Sequence, residues 1–194
     1  MENEVSAISG GILGLVCCLG LLLLVLPRRY ALAPMLIGAC YMGLGQALII
    51  GGAHFYLLRI LIAFGLIRLL LRREIFSIKL NSIDRVLLAW LMVSSFLYVL
   101  FSGTETLAQR LGNFYNTFGI YFLVRALVRD FDDIVVVVKM LAIIVIPLAI
   151  PIAMEYTTGK NPFFILGGVP EFSQIREGRI RCQGAFNHPI LAGT

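Results

Sequence analysis

Residues 134–154 read IVVVVKMLAIIVIPLAIPIAM, an apolar run that holds a single charged side chain, Lys139. In a helix, about 20 consecutive apolar residues cover the hydrocarbon core of a bilayer. The whole chain shares this character, because 59% of its 194 residues are hydrophobic and its mean hydropathy is +0.92. A soluble domain cannot bury so large an apolar fraction, so the composition indicates an integral membrane protein.

Similar runs recur along the chain and predict an all-α bundle of about six transmembrane spans, with the start of a seventh near Pro189. The spans are expected at residues 6–26, 31–51, 55–71, 83–101, 107–128 and 134–154. The acidic start and the length of the first run argue against a cleaved signal peptide. The predicted regions are a transmembrane bundle over 1–154, a polar loop over 155–187 and the beginning of a further, truncated helix over 188–194.

The distribution of basic residues predicts the orientation of this bundle. Arginine and lysine concentrate after the first, third and fifth predicted spans, whereas the connections after the second and fourth hold only Arg110. Because basic residues mark cytoplasmic loops, the N-terminus and the loop 155–187 are expected on the outer side. A miscounted span would instead place that loop in the cytoplasm. The net charge of +5 is spread over short loops, which favours phospholipid headgroups over nucleic acid as partners.

The stretch REGRIRCQGAFNHPILAGT, residues 176–194, places Arg176, Arg179 and Arg181 within six positions. Few basic residues are expected on the outer side of the membrane, so this cluster indicates that the arginines have a binding partner. Arg179 and Arg181 are two residues apart, so an extended backbone points both side chains the same way. Paired guanidiniums suit phosphate oxygens, and a phosphate ligand is therefore the favoured interpretation. The alternative is a loop that pairs with its own glutamates or rests on anionic lipid.

Polar residues also occur inside the predicted spans. Arg110, Asn113 and Thr117 share one face of the fifth span, and Arg59 lies one turn into the outer end of the third. Since lipid cannot satisfy such groups, they predict a polar cleft that opens toward the loop 155–187. The alternative is that the arginines extend to headgroups and the asparagines join helices. Arg68 is expected to extend to the inner headgroups.

Two further patterns have structural or weak catalytic interpretations. The Asp-x-Asp of Asp130 and Asp132 resembles a divalent-metal motif, but it precedes the sixth span and is interpreted as a helix cap. The cysteines have no metal-ligand spacing, so neither a metal nor a cofactor is predicted. His188, before Pro189, is a weak candidate for a general base, with an interfacial residue as the alternative.

The segment GRIRCQGAFNHPILAGT, residues 178–194, resembles the segment that opens the core domain of bacterial O-antigen ligases and polysaccharide polymerases. Arg181, Gly184, Phe186, His188 and Pro189 form the shared pattern of a basic residue, a glycine, an aromatic and His-Pro before an apolar helix. The stretch LNSIDRVLLAWLMVSSFLYVL, residues 80–100, is also similar to the N-terminal half of these proteins.

The resemblance implies a polytopic, metal-independent glycosyltransferase of the bacterial cytoplasmic membrane. It would move a glycan from a polyprenyl diphosphate carrier to a glycan or lipid acceptor in cell-envelope polysaccharide synthesis. Arginines on the outer side would bind the diphosphate; Arg110, Arg179 and Arg181 match, and Arg176 and Arg59 are added by their predicted positions. The catalytic histidine of the family is expected in a later loop, so the chain is expected to be an inactive N-terminal fragment. A transporter or flippase of lipid-linked sugars and a non-catalytic assembly subunit are the alternatives.

Overall fold

The computed structural model describes residues 6–7, 10–43, 46–50, 53–77, 80–102, 107–186 and 188–192, and these are predominantly helical. The helices are α1 (Gly10–Val25), α2 (Ala33–Tyr41), α3 (Leu57–Leu71), α4 (Ser82–Ser102), α5 (Leu107–Leu127), α6 (Phe131–Thr158) and α7 (Pro189–Ala192). Short 3-10 turns occupy Arg28–Tyr30, Glu74–Ser77 and Pro162–Leu166. The strands are β1 (Ser6–Ala7), β2 (Gln46–Ile50), β3 (Ala53–Tyr56), β4 (Gln174–Arg176) and β5 (Arg179–Arg181).

The predicted helical class is confirmed, but the prediction of about six spans and the start of a seventh is wrong. Two of the described helices are long and apolar enough to cross a membrane, Ser82–Phe101 and Phe131–Thr158. Helix α1 is apolar but has only 16 residues, and α3 has 15, so both are shorter than a membrane span requires. Helix α5 has 21 residues, which is long enough to cross a membrane. Arg110 and several amide side chains in its first half, however, make it too polar to meet the same criterion of apolar composition.

The second predicted span, residues 31–51, departs furthest from expectation. Its helix ends at Tyr41, and the chain then forms β2, which pairs in antiparallel register with β3 from Ile50↔Ala53 onward. Strand β1 pairs with β2 in parallel. The sequence places two β-branched isoleucines before a Gly-Gly pair, a composition typical of hairpins. Hydropathy cannot separate such a hairpin from a helix, because both are apolar.

The interior of the bundle forms around α3, which packs against α1, α2 and α5. Glycines allow these helices to approach closely: a Cβ added at Gly20 would overlap Phe64, and one at Gly65 would overlap Leu123. Small residues at helix contacts are typical of membrane bundles. One buried cluster of this interior joins four helices and contains Leu23, Met35, Ile62, Leu69, Leu123 and Leu127.

Helices α4 and α6 lie at the periphery and expose most of their apolar surface. Only 11% of the apolar window of each helix is buried. On α4, Trp90 is 59% exposed and Phe101 is 83% exposed, and on α6 Ile146 is 71% exposed. Contiguous exposed apolar surface of this size marks a membrane or protein contact.

The chain segments that connect the helices and carry basic residues form ionic contacts at one end of the bundle. Arg28 donates to an Asp133 carboxylate oxygen at 2.7 Å and to the Leu127 carbonyl at 2.9 Å. Arg125 pairs with Asp84 at 3.5 Å, and Asp84 and Asn81 exchange the reciprocal hydrogen bonds of a capping box at 2.8 Å. Helix α6 begins at this end and extends for about 42 Å, so residues 159–186 lie at the opposite end.

Arg68 does not extend to a headgroup region as expected, because it is completely buried. Its guanidinium donates to the carbonyls of Leu23 and Leu26 at the end of α1 and forms two contacts of 3.2 Å with Glu74. The last carbonyls of a helix have no partner within the helix, and a cation is favoured beside them. Arg68 therefore fixes the end of α1 against α3.

Helix α6 is continuous from Phe131 to Thr158 and includes Pro147 and Pro151. The Tyr41 hydroxyl donates to the Ile144 carbonyl at 2.7 Å and ties α2 to this stretch. At the start of α6, Asp130 is the N-cap residue but makes no capping bond. Asp133, in the first turn of the helix, accepts the N–H of Arg129 at 3.1 Å instead, a contact that the sequence did not predict.

Candidate phosphate-binding site

In the predicted polar loop 155–187, residues 155–158 continue α6, and residues 159–186 form turns and two short strands beyond the end of that helix. Gly159 ends the helix in the left-handed conformation, with φ of 69°, and its N–H donates to the Glu155 carbonyl at 2.8 Å. Asn161 accepts the Phe163 N–H at 3.0 Å and donates to the Gly184 carbonyl at 2.8 Å. Beneath these bonds, an apolar cluster contains Leu148, Phe163, Val169 and Ala185.

Strands β4 and β5 form a hairpin over residues 174–181, here called the arginine hairpin. Glu177 and Gly178 connect the strands with φ of 55° and 72°, and two positive values suit a two-residue type I′ turn. The pairing is Arg176↔Arg179 and Gln174↔Arg181. Opposite residues of an antiparallel pair share a face, and residues two apart on a strand do too. One face, the arginine face, therefore holds Gln174, Arg176, Arg179 and Arg181.

The glutamates of this unit do not neutralise the arginine face. Glu171 pairs with Lys160 at 3.5 Å, and Glu155 binds backbone and hydroxyl donors. Glu177 approaches Arg176 only at 3.8 Å, in an exposed pair of the kind that stabilises little. Within the described part of the chain, no hydrogen bond or ion pair involves the guanidinium of Arg179 or Arg181. Two adjacent guanidiniums are therefore available to an external anion.

Glu155 is a component of the site that the sequence interpretation missed. Its side chain has no exposed surface, and it accepts hydrogen bonds from the Ser173 hydroxyl at 2.8 Å, the Gln183 N–H at 3.0 Å and the Gly184 N–H at 2.8 Å. The sequence shows only a glutamate at the end of an apolar run, and its donors lie up to 29 residues away.

An apolar groove of about 580 Å³ lies beside the arginine hairpin, between α6 and the segment that follows β5. Its lining includes Cys40, Leu148, Ile152, Tyr156, Cys182 and Phe186. Cys182 directly follows Arg181, so the groove adjoins the hairpin. Burial raises the pKa of the Cys182 thiol, and the nearby Glu155 carboxylate raises this pKa further. A groove of this composition accepts an apolar chain.

The other predicted arginines lie within the helical bundle. Arg59 donates to the Asn116 amide oxygen at 3.3 Å, and its guanidinium lies 5.0 Å from the centre of the Tyr56 ring. Arg110 lies 4.0 Å from the centre of the Tyr98 ring, and its buried Nε has no hydrogen-bond partner among the described residues.

The structure therefore brings Arg176, Arg179 and Arg181 together, whereas the described contacts of Arg59 and Arg110 are with residues of β3, α4 and α5. Asn113 and Thr117 are exposed, so the predicted polar face of α5 is not enclosed. His188 is exposed just before α7, and Asn187, Gly193 and Thr194 lie outside the described residues.

Comparisons of the chain with protein-family models, with curated proteins and with solved structures return no match. The geometry of the site is therefore the basis for a functional assignment.

Proposed function

We propose that this chain is an integral membrane protein whose arginine face binds the diphosphate of a polyprenyl-linked glycan. In this proposal it is the donor-binding part of an O-antigen ligase-like glycosyltransferase, at the outer side of the bacterial cytoplasmic membrane. The observation that supports it most directly is the arginine face beside an apolar groove, where Arg179 and Arg181 have no side-chain hydrogen bond or ion pair with any residue that the structure describes.

The arginine face favours a phosphate ligand because of the chemistry of its donors. A guanidinium presents a planar fork that donates two hydrogen bonds to one phosphate group. Three such groups and the Gln174 amide project from one side of a short hairpin. A diphosphate has enough acceptor oxygens to bind more than one guanidinium, whereas a single carboxylate has only two acceptor oxygens.

The apolar groove and the exposed helices favour a lipid-linked ligand in a bilayer. The groove offers mostly aliphatic and aromatic side chains to a prenyl chain whose head group reaches the hairpin. The exposed apolar surface of α4 and α6 would be covered by lipid. The basic connections lie at the opposite end of the bundle from the hairpin. Under the positive-inside rule, this arrangement favours an outer location for the hairpin.

In the proposed reaction, an acceptor hydroxyl attacks the anomeric carbon and the bond from that carbon to the diphosphate oxygen breaks. The diphosphate leaves with the bonding electrons, and a general base removes the proton of the hydroxyl. Fixed guanidiniums stabilise the negative charge that grows on the leaving group. The residues of the arginine face therefore have a binding and electrostatic role.

The test is to measure binding of farnesyl diphosphate to the purified protein in lipid nanodiscs. The Arg179→Ala/Arg181→Ala variant should bind about ten- to hundredfold more weakly, because it loses charge-assisted hydrogen bonds. The variant Arg179→Lys/Arg181→Lys should lose nearly as much, since lysine lacks the planar fork. The control Arg85→Ala/Lys139→Ala removes the same charge from exposed side chains away from the hairpin and should bind normally.

Normal binding by the double alanine variant would contradict the site, and normal binding by the double lysine variant would contradict bidentate recognition. Glycan transfer and lipid translocation are then assayed in cells. If the alanine variant lost translocation of the lipid-linked glycan but kept transfer, the transporter alternative would replace the transferase.

A further inference from the structure

Glu155 is a fully buried carboxylate, and no salt bridge in the described part of the chain accompanies it. Three donors surround it instead: the Ser173 hydroxyl and the Gln183 N–H reach Oε1, and the Gly184 N–H reaches Oε2. Both carboxylate oxygens are used as acceptors. Burial of a carboxylate is strongly unfavourable without such bonds, so the three hydrogen bonds are what stabilises Glu155 in its buried position.

The three donors come from the two ends of the arginine hairpin. Ser173 immediately precedes β4, and Gln183 and Gly184 follow β5 by two and three residues. A single side chain on α6 therefore holds both ends of the hairpin. The same segment lines the apolar groove through Cys182, so the orientation of the hairpin over the groove depends on these bonds.

We infer that Glu155 is a positioning residue that sets the orientation of the arginine face for anion binding. The inference rests on the proposed function for the identity of the anion, a lipid-linked diphosphate. Glu155 does not contact the ligand; it acts through the backbone that bears Arg179 and Arg181.

Glutamine in place of Glu155 is nearly the same size but offers one acceptor oxygen and one donor group. In the Glu155→Gln variant, the amide NH₂ would face either the Gly184 N–H or the pair of donors from Ser173 and Gln183. Two opposed donors repel and leave buried groups without partners. The ends of the hairpin should then separate from α6 while the helical bundle remains folded. The matched control is Glu171→Gln, which removes the same charge from a partly exposed pair with Lys160.

The first measurement is binding of farnesyl diphosphate and of farnesyl monophosphate in nanodiscs. Glu155→Gln should weaken diphosphate binding at least about tenfold and should lower the ratio of diphosphate to monophosphate affinity. Partial unfolding would reduce both affinities equally, so the ratio reports the geometry of the arginine face. Glu171→Gln should leave both affinities and their ratio unchanged.

The second measurement needs no ligand. In a variant without the native cysteines, spin labels on cysteines introduced at the exposed positions Ile146 and Ile175 report the distance between α6 and the hairpin. The distance distribution should broaden in Glu155→Gln and stay unchanged in Glu171→Gln. If the wild type bound no diphosphate but the labels behaved as expected, the proposed function would be wrong and the positioning role would stand.

Ser173→Ala provides a milder variant in case Glu155→Gln does not fold. It removes one donor and leaves the two backbone bonds, so diphosphate affinity should fall about two- to tenfold. If both Glu155→Gln and Ser173→Ala kept the wild-type affinity ratio and label distances, the inference would be overturned. If Glu155→Gln did not fold, unchanged values in Ser173→Ala alone would overturn it.

Discussion

The buried Arg68 offers a quantitative test of how the bundle is held together. Replacement of Arg68 by methionine keeps an unbranched chain of similar length but removes the guanidinium. Glu74, whose side chain is only 11% exposed, then loses its two contacts with the Arg68 guanidinium, and the Leu23 and Leu26 carbonyls lose their donor. Removal of one partner from a buried ion pair costs about 3–5 kcal/mol.

For a chain of this length, a destabilisation of 1 kcal/mol lowers the melting temperature by about 2–4 °C. Arg68→Met should therefore lower it by about 6–20 °C, as followed by circular dichroism at 222 nm in detergent. Arg72→Met is the matched control, because Arg72 is exposed and donates one hydrogen bond to the Val25 carbonyl at 3.0 Å. It should change stability by no more than about 1 kcal/mol.

The double variant Arg68→Met/Glu74→Met should recover part of the loss, because a buried pair replaced by apolar residues is often close to neutral. Recovery should be incomplete, since the α1 carbonyls still have no donor. A difference of 2 °C in melting temperature corresponds to about 1 kcal/mol in the free energy of unfolding. If Arg68→Met melted within 2 °C of Arg72→Met, the buried pair would not be a significant source of stability.

Two further predictions concern topology and the groove. In a variant without native cysteines, Ile175→Cys should react with an impermeant thiol reagent from outside intact cells and Ser77→Cys should not; labelling of Ser77→Cys alone would invert the proposed orientation. In a variant whose only cysteine is Cys182, alkylation should be slow at pH 7 and its rate should still rise above pH ~8.5, where an ordinary thiol is already half ionised. The reason is that burial, and secondarily Glu155, raises the pKa of Cys182 and so favours the unreactive thiol. Glu155→Gln should shift this profile to lower pH, and a wild-type profile like that of free cysteine would contradict the burial of Cys182.

The helical class and the positions of α4 and α6 follow from the sequence alone. Both helices consist of long apolar runs, and hydropathy is a local sum that a helix realises directly. The pairing of Arg179 and Arg181 on one side is likewise a local property, because a strand alternates its side chains with a period of two. Arg176 joins their face only through the register of the hairpin, which places it opposite Arg179.

The tertiary structure determined which secondary structure the remaining apolar runs form and which partners the buried charges have. Residues 46–50 and 53–56 pair as the antiparallel strands β2 and β3 instead of continuing a span, and α1, α2 and α3 are short helices in a common interior. Arg28 meets Asp133 across 105 positions, and Glu155 meets Gly184 across 29. A charge is stable in an interior only where the fold brings donors or a counter-charge to it. Those partners are set by packing between distant segments, so the sequence identifies the charges while the fold determines which become structural and which remain available to a ligand.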